Sequence, residues 1–390
     1  MGIAEEVVFC RHDEACQPRW RCFDGLVDVV EARRLDDVLP TLAAVDKAVA
    51  KGLYVAGMVS YEAAPAFDDA LAAHDGAGLP LAWFALFRRM EERNSPSKGT
   101  APFLLTQKSG RSPDFTLAPW SPSVSRSQYN EAIDRIKDYI ARGHTYQVNY
   151  TFRLRAAFEG EPWGLFRRLC EAQRGQYNAY LDLGGHVLCS ASPELFFSVN
   201  GDVVSARPMK GTAPRGRTAD EDRLIGDQLR RCEKNRAENA MIVDMMRNDL
   251  GRIAERGSVR VESAFDIETY PTVFQMTSTV SARSKASAIG ILRAAFPAAS
   301  ITGAPKIRTM EIIQELEPEP RGVYCGAIGW IAPDRRAEFN VAIRTVAIDR
   351  ATGVAEYGVG GGIVWDSDRA GEYDECRTKA AVLAAGLCGL

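Results

Sequence analysis

The segment from Leu195 to Ala206 constrains the fold of this chain more than any other stretch. Two apolar, strand-prone runs, Leu195–Val199 and Asp202–Ala206, flank the pair Asn200-Gly201. Asn-Gly tolerates positive φ at both loop positions, and the resulting twist matches that of paired strands, so the spacing predicts a tight antiparallel hairpin. Residues equidistant from the loop then face each other, which sets Glu194 opposite Arg207. Pro208 has no N–H to continue the ladder. Beyond it, Lys210 falls in a stretch punctuated by proline and glycine, Arg207-Pro208-Met209-Lys210-Gly211-Thr212-Ala213-Pro214-Arg215-Gly216, read as a turn. Strict alternation puts Glu194 and Lys210 on opposite faces, whereas a bend at Pro208 would bring them together. Together they would make a general acid and a nucleophile. Apart, they would be half of a cross-strand Glu194–Arg207 pair and a surface lysine.

The rest of the chain mixes strands and helices without a βαβ rhythm, which points to an α+β fold. From Asp36 to Ala50 the apolar residues Val38, Leu42, Val45 and Val49 form a helical stripe. Leu53–Ser60 and Trp83–Phe87 read as strands. Composition then shifts to Ser, Pro, Lys, Arg and Gly over Arg88–Pro122, around one short strand at Phe103–Leu105. That shift divides the chain into residues 1–110 and 111–390. Ser125 or Ser127 caps a helix whose stripe is Tyr129, Ile133, Ile136 and Ile140, ended by Gly143. A strand over 146–154, a helix over 165–173 and strands over 179–183 and 187–191 follow. Later helices are expected over 219–254, 284–295, 306–316 and 371–386, and strands over 323–332, 338–349 and 354–366.

Bulk composition removes several classes of function. A net charge of −3 gives no electrostatic footprint for nucleic acid or an anionic membrane. Nine cysteines are scattered with no C-x-x-C, as expected of free thiols in the cytoplasm. The histidines form no H-E-x-x-H, the start of the chain is acidic with no signal-like apolar region, and no apolar run is long enough to span a bilayer.

Three further groupings carry chemistry. Glu238, Met241, Ile242 and Met245 share one helix face, so this carboxylate lies in line with an apolar stripe and needs a partner, either Lys234 one turn back or something functional. Glu372, Glu375 and Lys379 share another face, where an i,i+4 pair is ordinary surface stabilisation. Carboxylates drawn from two helices, with hard oxygens and no nearby histidine, would instead suit Mg²⁺. Tyr357-Gly358-Val359-Gly360-Gly361-Gly362 and Thr302-Gly303-Ala304-Pro305-Lys306 are candidate anion cradles, the first through exposed backbone N–H groups and the second through a helix start. Arg344, in an apolar strand from Phe339 to Ile348, is either a structural ion-pair partner or a carboxylate clamp.

In order along the chain come Ser192-Pro193-Glu194, Pro208-Met209-Lys210-Gly211-Thr212, Ala237-Glu238-Asn239, Asp244-Met245-Met246-Arg247-Asn248-Asp249, Ile301-Thr302-Gly303-Ala304-Pro305-Lys306, Gly360-Gly361-Gly362-Ile363 and Glu372 with Glu375 and Lys379. This series resembles the chorismate-utilising enzymes, from about Arg126 to the C-terminus. Gly57–Ala64 resembles the aminodeoxychorismate branch of that family. The resemblance implies a large α+β fold of two orthogonal sheets flanked by helices, with residues 1–110 as a subdomain packed on a chorismate-binding catalytic domain, 111–390. It implies Lys210 as nucleophile and Glu194 as general acid, with Mg²⁺ held by Glu238, Glu375 and Glu372. Thr212, Gln275, Thr302, Tyr324, Arg344, Gly360, Gly361, Gly362 and Lys379 are the implied substrate contacts.

Two positions sort the family's chemistry. Gln147 stands where the isochorismate and salicylate enzymes carry a water-activating lysine, so ammonia is the expected nucleophile. Lys210 stands where anthranilate synthases usually carry alanine, so the implied product is 4-amino-4-deoxychorismate, the precursor of p-aminobenzoate and folate. The alternatives are the anthranilate reaction and a weakly catalytic subunit that binds chorismate or an amino acid. Gln275 departs from the histidine of many relatives and cannot act as an imidazolium, which shifts the acid role to Glu194. Ammonia would come from a separate glutamine amidotransferase subunit, since no nucleophile-elbow motif is present, and the short stretch after Lys379 leads us to expect no fused pyruvate-releasing lyase.

Overall fold

The computed structural model describes residues 6–12, 17–76, 78–96 and 115–385. The strand expected at Phe103–Leu105 lies outside the described residues. The hairpin forms, one residue out of the expected register. Asn200 pairs with Val203, so Gly201 and Asp202 make the loop, with φ +61° at Gly201. The single positive φ falls on glycine, while Asn200 stays in the ladder. A bulge between Leu195 and Ser198 then sets Leu195, rather than Glu194, against Arg207. Arg207 pairs instead with Glu268, at 2.5 Å.

Antiparallel ladders run in one unbroken path. It begins with Gln147–Gly160, Val354–Ile363, Thr345–Asp349, His186–Ser192, Tyr177–Asp182, Val7–His12 and Pro18–Ala32. It continues through Ala82–Arg93, Tyr54–Val59, Ala327–Ile331, Arg336–Val341, Leu195–Asn200, Val203–Arg207, Val273–Arg283 and Arg260–Thr269. Met209–Pro214 also pairs with Val273–Arg283. Chain from both sides of position 110 shares these ladders, since Val7–His12 pairs with Tyr177–Asp182 and Tyr54–Val59 with Ala327–Ile331.

Strand alternation sorts the core. Val7 and Phe9 join a cluster that draws Ala179 and Leu181 from one half of the path and Met58, Trp83 and Ala85 from the other. Their neighbours Val8 and Cys10 face the opposite way, onto a cluster with Tyr129, Ile133 and Ile136 of the helix Arg126–Ala141. Ser125 caps that helix in a reciprocal box with Gln128, at the first of the two serines expected. A third cluster packs Val38, Leu42 and Val45 of Leu35–Ala50 and Val243, Met246 and Leu250 of Glu233–Gly251 onto the second half of the path. The result is a mixed α and β fold with one large antiparallel sheet and helices outside it. No helix of the described residues is long and apolar enough to cross a membrane, and the seven described cysteines are all free thiols.

Two expected elements are interrupted and a third starts late. The helix expected over 219–254 is two, Ala219–Arg231 and Glu233–Gly251, because Cys232 takes an extended ψ of 111°. The strand expected over 338–349 breaks between Val341 and Thr345, where Arg344 has φ +50°. The helix expected from 284 starts at Ala288, where the Ser287 hydroxyl accepts from the Gly290 N–H.

A buried ionic node ties distant segments together. Arg321 and Glu317 are each 2% exposed and pair at 2.7 Å. The Arg321 guanidinium also donates to Ile301 O at 2.8 Å and Asn149 O at 2.7 Å, and lies over the Tyr61 ring. Its backbone N–H donates to Glu62, and Glu317 accepts from both the N–H and the hydroxyl of Thr151. Replacing Arg321 with alanine leaves Glu317 buried without its main cation. Urea unfolding is expected to show a loss of about 3–5 kcal/mol, and a loss within the range of surface substitutions would contradict this account of the node.

Candidate active site

Glu194, Lys210, Thr212, Glu238, Gln275, Tyr324, Arg344, Gly360, Gly362, Glu372, Glu375 and Lys379 line one cleft enclosing about 970 Å³, part of it open to solvent. Glu194 and Lys210 reach it together through two irregularities in the ladder. The chain breaks at Pro208, and the strand Met209–Pro214, where a turn was expected, is bulged between Met209 and Thr212 with Gly211 at φ +91°. A bulge re-aims a side chain that strict alternation would send to the other face.

Glu194 is 3% exposed. The Ser300 hydroxyl donates to its Oε1 at 2.5 Å, and the Met209 N–H donates to the same carboxyl. Burial outweighs these donors and the nearby lysines and pushes the carboxyl up to about 7. Lys210 makes no hydrogen bond or ion pair among the described residues. Burial holds its ammonium below the ordinary lysine value, aided by the like charge of Lys379 and opposed by Glu238, Glu194 and Glu375. A lysine and a glutamic acid are thus both biased toward their neutral forms in one cleft.

The wall opposite is the strand Val354–Ile363, within the strand expected over 354–366, and it carries the glycine run read as a candidate anion cradle. Its pairing with Thr345–Asp349 ends at Tyr357, so from Gly358 onward only the Gln147–Gly160 edge is occupied. Side chains are excluded here by contact. A Cβ on Gly358 would meet the Tyr324 ring at 2.1 Å, and one on Gly362 would meet Lys210 Nζ at 2.8 Å and Gln147 Nε2 at 3.2 Å. Gly361 backs the same wall, its notional Cβ 3.2 Å from Glu372 Oε2. Gln147 is fully buried, and neither atom of its amide has a hydrogen-bond partner among the described residues.

Arg344 is buried, and its side chain makes no hydrogen bond or ion pair among the described residues. Burial lowers its pKa against the pull of Tyr357, Tyr270 and Glu194. An unpaired buried guanidinium is prepared for an external carboxylate, which favours the clamp over the structural ion pair. It does so from a kink, not from within a strand. Tyr324 also lines the cleft, with the Arg153 guanidinium 5.2 Å from its ring centre. Thr212 donates to the Gln275 amide oxygen across the ladder, at 3.2 Å.

Thr302 is not part of the lining. Its hydroxyl donates to the carbonyls of Ala298 and Ala299, holding the turn that presents Ser300 and Ile301. The helix start at Lys306 does not form the expected anion cradle either. Gly303–Ala304 is taken into a ladder with Gln147–Val148, and Lys306 pairs with Asp249 at 2.8 Å.

The three remaining carboxylates come from two helices, Glu233–Gly251 and Arg369–Ala385. Glu375 pairs with Lys379 at 2.7 Å, within the cleft, and Lys379 also donates to Gly360 O. Glu372 accepts from the Ser367 hydroxyl at 2.5 Å. Glu238 forms no ion pair among the described residues, Lys234 included. Burial raises the pKa of Glu238 and of Glu372, and the charge of Glu375 raises both further. No three such groups are yet drawn together at ligand distance among the described residues. The donors are nonetheless the hard oxygens that Mg²⁺ prefers, and a divalent cation would relieve their mutual repulsion, so the residues fit that ion.

Sequence reasoning missed Asn149 and Ser300, which also line the cleft. Asn149 sits two positions after Gln147 on the same strand, and Ser300 immediately precedes the Ile301–Lys306 motif. Strand alternation could have found the first; no local pattern marks the second.

Comparison with known proteins identifies the family. A model of the chorismate binding enzymes matches residues 10–385. Aminodeoxychorismate synthase component 1 of Klebsiella aerogenes is 44% identical over 268 residues, 68% of this chain and 59% of that protein. Anthranilate synthase component 1 of Streptomyces coelicolor is 40% identical over 278 residues, 70% of this chain and 54% of that protein. The chain therefore spans somewhat over half the length of the curated relatives it matches. The crystal structure of anthranilate synthase component I from Streptococcus pneumoniae TIGR4 superposes with a TM-score of 0.78 at 25% identity, covering 98% of this chain and 93% of that one. A cleft that pairs a neutral-biased lysine with a buried carboxylic acid, on a fold matched over almost its whole length, places the chain in the family of chorismate binding enzymes.

Proposed function

We propose that this chain is the chorismate-aminating component of an aminodeoxychorismate synthase, converting chorismate and ammonia to 4-amino-4-deoxychorismate and water in p-aminobenzoate and folate synthesis. The observation that carries this reading is the convergence of Lys210 and Glu194 in one cleft, each held toward its neutral form by burial. The unprotonated Lys210 nitrogen forms a bond to ring carbon C2. Both ring double bonds shift by one position, the C4–O bond breaks, and Glu194 supplies the proton with which the oxygen leaves as water. Ammonia then forms the C4–N bond, both double bonds shift back, the C2–N bond to Lys210 breaks, and the surplus proton returns to Glu194. Arg344 and Tyr324 hold one substrate carboxylate, while Lys379 and the open edge at Gly360–Gly362 face the other. Thr212 and Gln275 offer hydrogen bonds near the leaving hydroxyl. Gln147, with no lysine in its place, does not generate a hydroxide competitor for ammonia.

Glu238, Glu372 and Glu375 would hold Mg²⁺, which when bound neutralises the negative charge of the substrate carboxylate. The two halves of the strand path are inferred to form two layers crossing near right angles, supported by the apolar cluster they share. Residues 1–110 act as a subdomain on a catalytic domain, 111–390. We propose a cytoplasmic location, which the free thiols of the described cysteines support. The designation "component 1" of the relatives supports a second component, for which we propose a glutamine amidotransferase that delivers ammonia.

Three outcomes test this reading. Purified chain given chorismate, Mg²⁺ and ammonium is expected to yield aminodeoxychorismate without anthranilate fluorescence, and Lys210→Ala to divert residual turnover to anthranilate. Anthranilate from the unaltered chain would move it to the tryptophan pathway, and no product even with an added amidotransferase would favour a binding role. Because Glu194 must be protonated to donate, kcat/KM for chorismate, at fixed free ammonia, is expected to fall as pH rises through about 7. Glu194→Gln should remove that limb and about 10²–10⁴-fold of the rate. Chelation of Mg²⁺ is expected to stop turnover, and Glu238→Gln to raise the Mg²⁺ concentration needed to restore it; an unchanged Mg²⁺ requirement would remove Glu238 from the proposed ligands.

A further inference from the structure

Ser300 is a cleft residue to which neither the motifs nor the comparisons give a role. It sits in the short turn Ala299–Ile301 and is 5% exposed. That turn is held from three sides. Thr302 ties back to Ala298 and Ala299, Arg321 donates to Ile301 O at 2.8 Å, and the Asn149 N–H donates to Thr302 O at 2.8 Å. The partner is held as firmly. The Glu194 N–H donates to Ser192 Oγ, and its carbonyl accepts from the Val341 N–H. Between these two fixed backbones, the Ser300 hydroxyl donates to Glu194 Oε1 at 2.5 Å.

We propose that Ser300 is a positioning residue for the acid, fixing the Glu194 carboxyl with Oε1 as acceptor so that Oε2 carries the transferable proton. This inference rests on the reading of Glu194 as general acid. A neutral carboxyl has one hydroxyl oxygen and one carbonyl oxygen, and a donor committed to Oε1 makes the form with the proton on Oε2 the lower in energy. After the proton leaves, the same hydrogen bond stabilises the carboxylate, so Ser300 makes Glu194 a stronger acid than burial alone would leave it. The charged groups facing Glu194 are Lys210 from Met209–Pro214, Lys379 from Arg369–Ala385, and Arg344 from the kink before Thr345. All three are unchanged by substitution at Ser300.

The test is the pH profile of kcat/KM for chorismate at fixed free ammonia, with Mg²⁺ saturating, for the unaltered chain, Ser300→Ala, Ser300→Thr and Glu194→Gln. Removing a hydrogen bond to a charged group is expected to move the alkaline limb of Ser300→Ala up by about one to two pH units. Its kcat should fall more than its KM changes, and Ser300→Thr should return the limb to its original place. Ser300→Cys, similar in size with a weak donor, is expected to shift the limb in the same direction and carries the test if the alanine variant does not fold. A lowered rate with an unmoved limb in Ser300→Ala, while Glu194→Gln has lost the limb, would overturn the positioning role and leave the acid assignment intact. A limb that survives in Glu194→Gln would overturn both.

Discussion

The pairing of Arg321 with Glu317, sealed from water behind the cleft, is the interaction on which the site's geometry depends. Two buried charges are expensive to desolvate, and the arrangement is tolerable only because nearly every donor and acceptor is used. That requirement gives the pair its reach. The guanidinium holds the carbonyls of Asn149 and Ile301, two residues of the cleft wall, and its backbone N–H engages Glu62 from the N-terminal part of the chain. Strand, turn and helix end are thereby set relative to one another by a single planar group. A hydrophobic replacement of the same volume would pack there but would have no directional preference among these partners.

The cleft uses the same physics with opposite bookkeeping. Behind it, charges are buried in ion pairs. Inside it, Glu194 and Arg344 are buried and Lys210 is half-buried, none forming an ion pair among the described residues, and the strain appears as displaced proton affinity and unmet hydrogen-bonding capacity. A bound dianionic ligand would relieve much of that strain. The glycine wall contributes by absence: with no side chain at Gly358 or Gly362, the Tyr324 ring and the Lys210 amine lie directly against backbone. Lys379 joins the two regions, paired to Glu375 on one side and bonded to the strand at Gly360 on the other.

Much of this was legible in the sequence, and the misses share a cause. The hairpin, the helix from Arg126 and the stripe of Leu35–Ala50 are local patterns and came through. The loop slipped by one residue because Asn-Gly and Gly-Asp both satisfy a two-residue turn, and only the strand partners choose. Glu194 and Lys210 share the cleft because of a bulge at Gly211, which alternation rules do not see. The glycine run around Gly360 lies in the strand expected over 354–366, but the contacts with a ring and an amine that require glycine there come from distant segments and leave no local pattern. Arg344 reads as a strand residue because its apolar flanks conceal a backbone kink. Cys232 breaks a helix without being a residue that ordinarily breaks one. Motif order identified most of the lining, whereas Ser300, Asn149 and the Arg321 node depend on contacts between distant segments and left no local trace.

The strand path has a further consequence, for the order in which the molecule can assemble. Its neighbours in space are remote in the chain: Tyr54–Val59 pairs with Ala327–Ile331, and Val7–His12 with Tyr177–Asp182. At translation rates of roughly 5–20 residues per second, the first of these strands waits on the order of tens of seconds for its partner to be made. Through that interval its edge and the apolar face bearing Met58 are open to other strands, including those of neighbouring nascent chains. Synthesis of this protein thus includes an interval in which that edge and face must be kept from wrong partners before the right one exists.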